Sequence, residues 1–265
     1  MDRLIFCDID GTILDGSRGM KKISDKTKYA ISQLKKQGDH VIIASGRCKG
    51  LLDPQIRALD PGGYILCNGA YAEVDGKEIY SSYFSKEALS AIRRIVKRYG
   101  GFCILEALED MYVDSLDSPA FKAFMKEWGS SLDGFTEGGE GREDFLISMI
   151  GFADRKVLKD VERELSPYVD LAAHKQYSSY DVNIKGIDKS KGVKEIIEYL
   201  GIPFEDSYCF GDAINDLEML QSVKHPVVVA NCVPELKTFG FEETDDVLDE
   251  GFYNYLVSHK LIKAL

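Results

Sequence analysis

Short apolar runs that stop abruptly at polar and glycine residues set the rhythm of the first eighty positions. Residues 3–9 (Arg-Leu-Ile-Phe-Cys-Asp-Ile) read as a buried strand that ends in a turn beginning Asp10-Gly11-Thr12. Ser24-Asp25 then open a helix with Tyr29, Ala30 and Leu34 at helical spacing, and Gly38 closes it. Val41–Ala44 form a second buried strand, stopped by Ser45-Gly46-Arg47. A helix around Leu51–Leu59 leads to a third strand, Tyr64–Cys67, stopped by Asn68-Gly69. Apolar strands alternating with helices predict a parallel, doubly wound sheet. In such sheets ligands bind beyond the carboxyl ends of the strands, where all three polar stops fall.

From about residue 83 the texture changes. A helix at Lys86–Tyr99 leads into Phe102–Leu108, and extended pieces near Met111–Val113 precede a helix around Phe121–Trp128. After a loop rich in Gly and Glu (Gly134–Glu143) come a strand at Phe145–Phe152, a helix at Lys156–Leu165, and extended segments at Val169–Ala172 and Tyr180–Ile184. These strands read as antiparallel and half exposed. After Lys189 the earlier rhythm returns, with helix Gly192–Leu200, strand Ser207–Phe210, a helix through Leu217–Gln221 and strand Pro226–Val229. The fold class is therefore α/β. Residues 1–82 and 187–265 build a doubly wound parallel-sheet (Rossmann-like) core, and 83–186 form an inserted α+β domain.

Composition narrows the function more than the fold. No apolar run among the 265 residues approaches the roughly 20 needed to span a bilayer, and the N-terminus lacks a secretory pattern. The formal charge of −11 argues against nucleic acid as a partner and supplies no long-range pull on an anion. The cysteines at 7, 48, 67, 103, 209 and 232 form no CxxC pair, so they read as reduced core residues of a cytoplasmic protein.

The chemistry concentrates in Asp8-Ile9-Asp10-Gly11-Thr12. Side chains at i and i+2 of a strand point the same way, so both carboxylates can face one site before the chain turns. One can attack phosphorus while the other moves protons. A helix–loop–helix calcium site would need a Glu near position 19, where Gly19 stands. By itself the pattern could also be a polar turn. Asp212 in Gly211-Asp212-Ala213-Ile214-Asn215-Asp216 adds a third carboxylate at another strand end, although that stretch also reads as a helix N-cap. Three ionised carboxylates together require a cation, and magnesium suits an all-oxygen set. Gly138-Gly139-Glu140-Gly141 lacks the flanking strand and helix of a nucleotide cradle.

Taken in order, these motifs resemble those of the haloacid dehalogenase superfamily of phosphotransferases, specifically its Cof-type branch. Asp8–Thr12 resembles the first motif and Ser45-Gly46-Arg47 the second. Lys189, in Lys185-Gly186-Ile187-Asp188-Lys189, resembles the third, and Gly211–Asp216 the fourth. The resemblance implies Asp8 as nucleophile, Asp10 as acid/base and Lys189 as the phosphate lysine, with Lys191 as the alternative. It implies magnesium held by Asp8, Asp212 and the Asp10 carbonyl, with Asp216 in the outer shell. Ser45, Gly46, Arg47, Asn68, Asn215 and Asn231 fall on the phosphate and substrate side. The insert then resembles a large α+β (class II, type B) cap that closes over the site and sets specificity. The expected function is a magnesium-dependent phosphatase of small organic phosphates, sugar phosphates above all, working as a monomer or weak homodimer. A phosphomannomutase-like mutase and a non-catalytic phosphosugar-binding regulator are the rivals.

Overall fold

The computed structural model describes residues 2–129, 131–174 and 176–265. The chain folds as two compact units: residues up to Arg47 with Leu52–Ser81 and Asp188–Leu265, and Ser82–Ile187 with Cys48–Leu51.

In the first unit β1 (Leu4–Asp8) is followed by α1 (Asp25–Lys36), whose N-terminus is capped by the Ser24 hydroxyl accepting from the Thr27 N–H. Next come β2 (His40–Ala44), the four-residue α2 (Pro54–Arg57), β3 (Gly63–Leu66), β4 (Tyr71–Val74) and β5 (Lys77–Ser81). The second unit holds α3 (Lys86–Arg98), β6 (Phe102–Glu106), β7 (Met111–Val113), α4 (Pro119–Trp128), β8 (Phe135–Glu137), β9 (Ile147–Gly151), α5 (Leu158–Leu165), β10 (Val169–Ala173) and β11 (Ser179–Ile184). The first unit resumes with α6 (Lys189–Leu200), β12 (Ser207–Gly211), α7 (Leu217–Leu220), β13 (His225–Val229), α8 (Pro234–Lys237), β14 (Glu242–Thr244) and α9 (Gly251–Ser258).

The sheet of the first unit runs β14-β13-β12-β1-β2-β3-β4-β5. It is parallel from β14 to β3, as the apolar runs predict. Beyond β3 it departs from an all-parallel sheet, because β4 and β5 add antiparallel to its edge. Their connection is Asp75-Gly76, both at positive φ, a two-residue turn suited to a tight hairpin. Leu4, Phe6, Ile42, Ile65 and Cys209 pack with Val193 and Ile196 of α6 and with Met219 and Leu220 of α7. Phe210 points the other way and meets the rings of Phe252 and Tyr255 on α9 edge-on. All six cysteines are buried and none is in a disulfide.

The second unit's sheet runs β10-β11-β9-β6-β7-β8 and is antiparallel except for β7 beside β8. β8 lies within the segment read from sequence as loop. The central strands are not half exposed. Cys103, Leu105, Ile150 and Val182 bury one face with residues of α3 and α5, while Phe102, Ile104 and Val113 pack on Phe121, Phe124 and Met125 of α4. An all-apolar strand such as β6 is what covering on both faces requires.

Glu106 ends β6 as an exception to that rule. Burial pushes its carboxyl up to about 7, a Cys48 hydrogen bond opposes the shift, and Asp181 adds to it. Its native pKa lies above its ordinary value of 4.5, so the stability this group contributes is full below that value. That contribution is lost as pH rises through about 7, where the buried carboxylate must ionise. The chain's single tryptophan, Trp128, reports on this unit. Urea unfolding followed by its fluorescence should show stability falling from pH 5 to pH 8, and Glu106→Gln should flatten that fall. An equal slope in both proteins would count against the assignment.

Candidate active site

The first carboxylate is placed by β1 itself. Asp8 is the strand's last residue, 6% exposed, and pairs in register with Ala44 of β2. The chain then winds tightly, with the Ile9 carbonyl accepting from the N–H groups of Thr12, Ile13 and Leu14. Gly11 sits at φ +90°, and a Cβ there would overlap the Asp212 carboxylate, so only glycine lets the first and fourth motifs meet.

Lys189 is the first residue of α6, whose N-cap Asp188 accepts from the Ser190 N–H. Its Nζ donates to Asp8 Oδ1 at 2.5 Å and to Asp216 Oδ1 at 2.7 Å, and the side chain is 1% exposed. Burial alone would lower the lysine pKa, but Asp216 and Asp8 hold it above its ordinary value. Lys191 instead lies on the surface, paired with Glu195 one turn on. Gly69, at φ +95°, makes room for this helix start, because a Cβ there would run into the Asp188 carbonyl.

Three carboxylates surround that single ammonium. Oxygens of Asp8, Asp212 and Asp216 lie within 4.8 Å of one another, a group that could hold a metal ion. Burial and then Asp216 push Asp8 well above the usual carboxylate range, with Lys189 opposing. Burial, with Asp216 adding, pushes Asp212 up to about 7. Both oxygens of Asp216 are engaged: one takes Lys189 and the other accepts from the backbone N–H groups of Asp212 and Ala213. Asp212 Oδ1, by contrast, is buried with no hydrogen-bond partner among the described residues. An orphaned carboxylate oxygen beside a surplus of negative charge fits a hard, oxygen-seeking divalent cation. Asp216 thus lies beside Asp8 and Asp212 with both its oxygens engaged by protein groups, whereas the Asp10 carboxylate lies outside this cluster.

Asp10 turns outward. Its carboxylate meets Arg47 side-on, Nη2 to Oδ1 at 2.7 Å and Nε to Oδ2 at 3.1 Å, with the Asp10 side chain 54% exposed. The Ser45 hydroxyl is buried and accepts from the Arg47 N–H. The Ser45–Arg47 and Cys67–Asn68 loops are laced by backbone bonds, Cys67 N–H to the Arg47 carbonyl and Asn68 N–H to the Ser45 carbonyl. The Asn68 carboxamide lies over Gly46, close to where a Cβ would stand. Asn215 is exposed in the short turn after Asp212. Asn231 spends its carboxamide on main chain, donating to the Gly11 carbonyl at 2.7 Å and accepting from the Val247 N–H at 2.9 Å.

The structure thus gathers Asp8, Asp212, Asp216 and Lys189 into one group, buried except for the partly exposed Asp212. Ser45, Gly46, Arg47 and Asn68 lie together beside Asp10 on adjoining loops. Two features have no sequence signature. One is the buried Thr12 hydroxyl, which has no hydrogen-bond partner among the described residues; the other is the Arg47–Asp10 pair.

A profile of the haloacid dehalogenase-like hydrolases matches residues 5–256. YkrA of Bacillus subtilis (strain 168), named as a phosphatase, is 32% identical over 256 residues, covering 94% of each chain. The 5-amino-6-(5-phospho-D-ribitylamino)uracil phosphatase YitU of the same organism is 26% identical over 266 residues, with 96% of each chain covered. The solved structure of BT4131, a HAD subclass IIB sugar phosphatase, is similar with a TM-score of 0.81 at 26% identity. That match covers 98% of this chain and 100% of the other. No helix among the described residues is long and apolar enough to cross a membrane.

Replacing the ammonium by an apolar chain of similar length would leave the acids unbalanced. Lys189→Met should lower metal-free stability at neutral pH by about 3–5 kcal/mol, the usual loss when a buried ion pair is broken. Added magnesium should recover part of it. Urea melts with and without magnesium check this, and a variant as stable as the parent would contradict the charge balance described.

Proposed function

We propose a reaction for this chain, which belongs to the haloacid dehalogenase-like hydrolases and is a phosphatase: magnesium-dependent hydrolysis of small phosphate monoesters through an aspartyl phosphate. The observation that carries it is the Asp8 carboxylate at a strand end, held by Lys189 and flanked by Asp212 and Asp216.

An Asp8 oxygen attacks phosphorus as the bond to the leaving oxygen breaks, and the Asp10 carboxyl gives that oxygen its proton. Asp10, now a carboxylate, takes a proton from water. That water attacks the same phosphorus and frees Asp8 and inorganic phosphate. The exposed position of Asp10 suits proton exchange in both directions, and the Arg47 fork sets where its carboxyl points. The Ser45 hydroxyl and the Gly46 N–H support the phosphoryl oxygens. Lys189 holds Asp8 in place and offsets the repulsion between carboxylate and incoming phosphate. Asp8 and Asp212, with the Asp10 carbonyl, are the ligands proposed for magnesium, and Asp216 steadies Asp212 through its backbone N–H. Bound there, magnesium supplies positive charge to the transferring phosphoryl group.

YitU is named for a phosphate on a ribityl chain and BT4131 as a sugar phosphatase. Both support phosphates of sugars or sugar alcohols as the substrate class here. The inserted α+β unit is proposed to select the leaving group.

A panel of sugar and sugar-alcohol phosphates, assayed for released inorganic phosphate, tests the reading. Release should require magnesium and vanish in Asp8→Asn, while Asp10→Asn should lose about 10²- to 10⁴-fold in kcat, the range for a general acid–base group. Phosphate moved to another position on the sugar without release would favour a mutase. Undiminished turnover in Asp8→Asn would remove the nucleophile assignment.

A further inference from the structure

The turn that brings Asp8 and Asp212 together is held from outside by a side chain 220 positions away. Asn231 follows β13 and carries two hydrogen bonds on opposite ends of one carboxamide. Its Nδ2 donates to the Gly11 carbonyl at 2.7 Å, and its Oδ1 accepts from the Val247 N–H at 2.9 Å. Gly11 is buried against the Asp212 carboxylate, and no residue with a Cβ could occupy its place. Fixing the Gly11 peptide therefore fixes the wall on which that carboxylate rests.

The far end of this link is anchored as well. Arg18 Nη1 donates to both oxygens of Asp246 at 2.9 Å, while the Arg18 N–H and the Ser17 hydroxyl are taken by Asp15. The Ser24 hydroxyl donates to Glu250. The 246–250 segment is thus clamped to residues 15–24, the continuation of the nucleophile turn. Asn231 closes the ring by joining Val247 back to Gly11.

We propose that Asn231 is a positioning residue that sets the cation seat, fixing the Gly11 turn against Asp212 rather than touching the substrate. The inference rests on the magnesium reading above. A donor and an acceptor of the carboxamide are each committed to main chain, which fixes its orientation between the two segments. Partners behind metal ligands commonly change affinity by 10- to 100-fold when removed. Asn231→Ala removes both bonds. Val247→Pro removes only the outer one, at the first position of a short helical turn, where proline is tolerated.

Manganese binding to the metal-free full chain, read by electron paramagnetic resonance, separates the possibilities, with melting temperature measured alongside. Asn231→Ala should weaken manganese binding about tenfold or more, and Val247→Pro should weaken it less but in the same direction. KM for substrate at saturating metal should stay near the parent value, since no substrate contact is lost. Folded Asn231→Ala that binds manganese like the parent, or that raises KM with metal affinity unchanged, overturns the proposal. If Asn231→Ala does not fold, Val247→Pro decides alone: unaltered manganese affinity overturns it. A parent chain that takes up no manganese overturns the magnesium reading, and this inference with it.

Discussion

A lysine ammonium buried to 1% exposure is the constraint on which the rest of the site depends. Left alone in such a place it would lose its proton, because desolvation penalises charge. Asp8 and Asp216 prevent that, and in doing so they take fixed positions around it. The lysine is itself fixed by being the first residue of α6, with Asp188 as its cap and Gly69 allowing the close approach of that cap. Two acids to one base leaves negative charge over, and Asp212 adds more. The surplus is what a divalent cation would answer, so packing, charge balance and the proposed chemistry are one arrangement seen from three sides.

The parallel sheet explains why residues so far apart in sequence can share it. β1, β2, β3, β12 and β13 all deliver their carboxyl ends to one edge, and there Asp8, Ser45, Asn68, Asp212 and Asn231 follow or end the strands. A chain of net charge −11 cannot draw in a phosphate at long range. In the proposed reaction the attraction is local, from backbone N–H groups at loop starts, the Ser45 hydroxyl, Lys189 and the proposed cation.

The strands of the parallel core were legible because each is a short apolar run with a polar stop, a pattern a doubly covered sheet imposes. Helix α1 was legible through its cap, Ser24; α3 was read over Lys86–Tyr99, and the structure adds its cap, Ser85. The β4–β5 hairpin went unread although Asp75-Gly76 signals it, because Glu73 is buried in a strand that alternation would not mark. The predicted helix at 51–59 shrinks to α2, since Pro54 can stand only in a first turn and the preceding residues form a separate 3₁₀ turn. β8 and β14 have three residues each, too few to show a period. At the site, the Lys185-Gly186-Ile187-Asp188-Lys189 register favours Lys189 with Lys191 as the alternative; on a helix, residues two apart face different ways, and here Lys189 is buried while Lys191 pairs with Glu195 nearer the surface. Asn231 came from the sequence only as a substrate-side position that the resemblance implies. Its partners, Gly11 and Val247, are a matter of tertiary structure that no local pattern encodes.

Asp8 and Asp10 show how two identical side chains two residues apart come to differ. Asp8 is enclosed with a lysine and two acids, cannot exchange readily with water, and presents one oriented oxygen, which suits bond formation. Asp10 lies past the strand end, half exposed, against a guanidinium that is itself partly exposed. Such a pair is held by little, on the order of 1 kcal/mol or less in water, so it orients the carboxyl without committing it. The same planar fork is also complementary to phosphate. The end of β1 at Asp8 makes this division possible, because the chain leaves the sheet between the buried carboxylate and the exposed one.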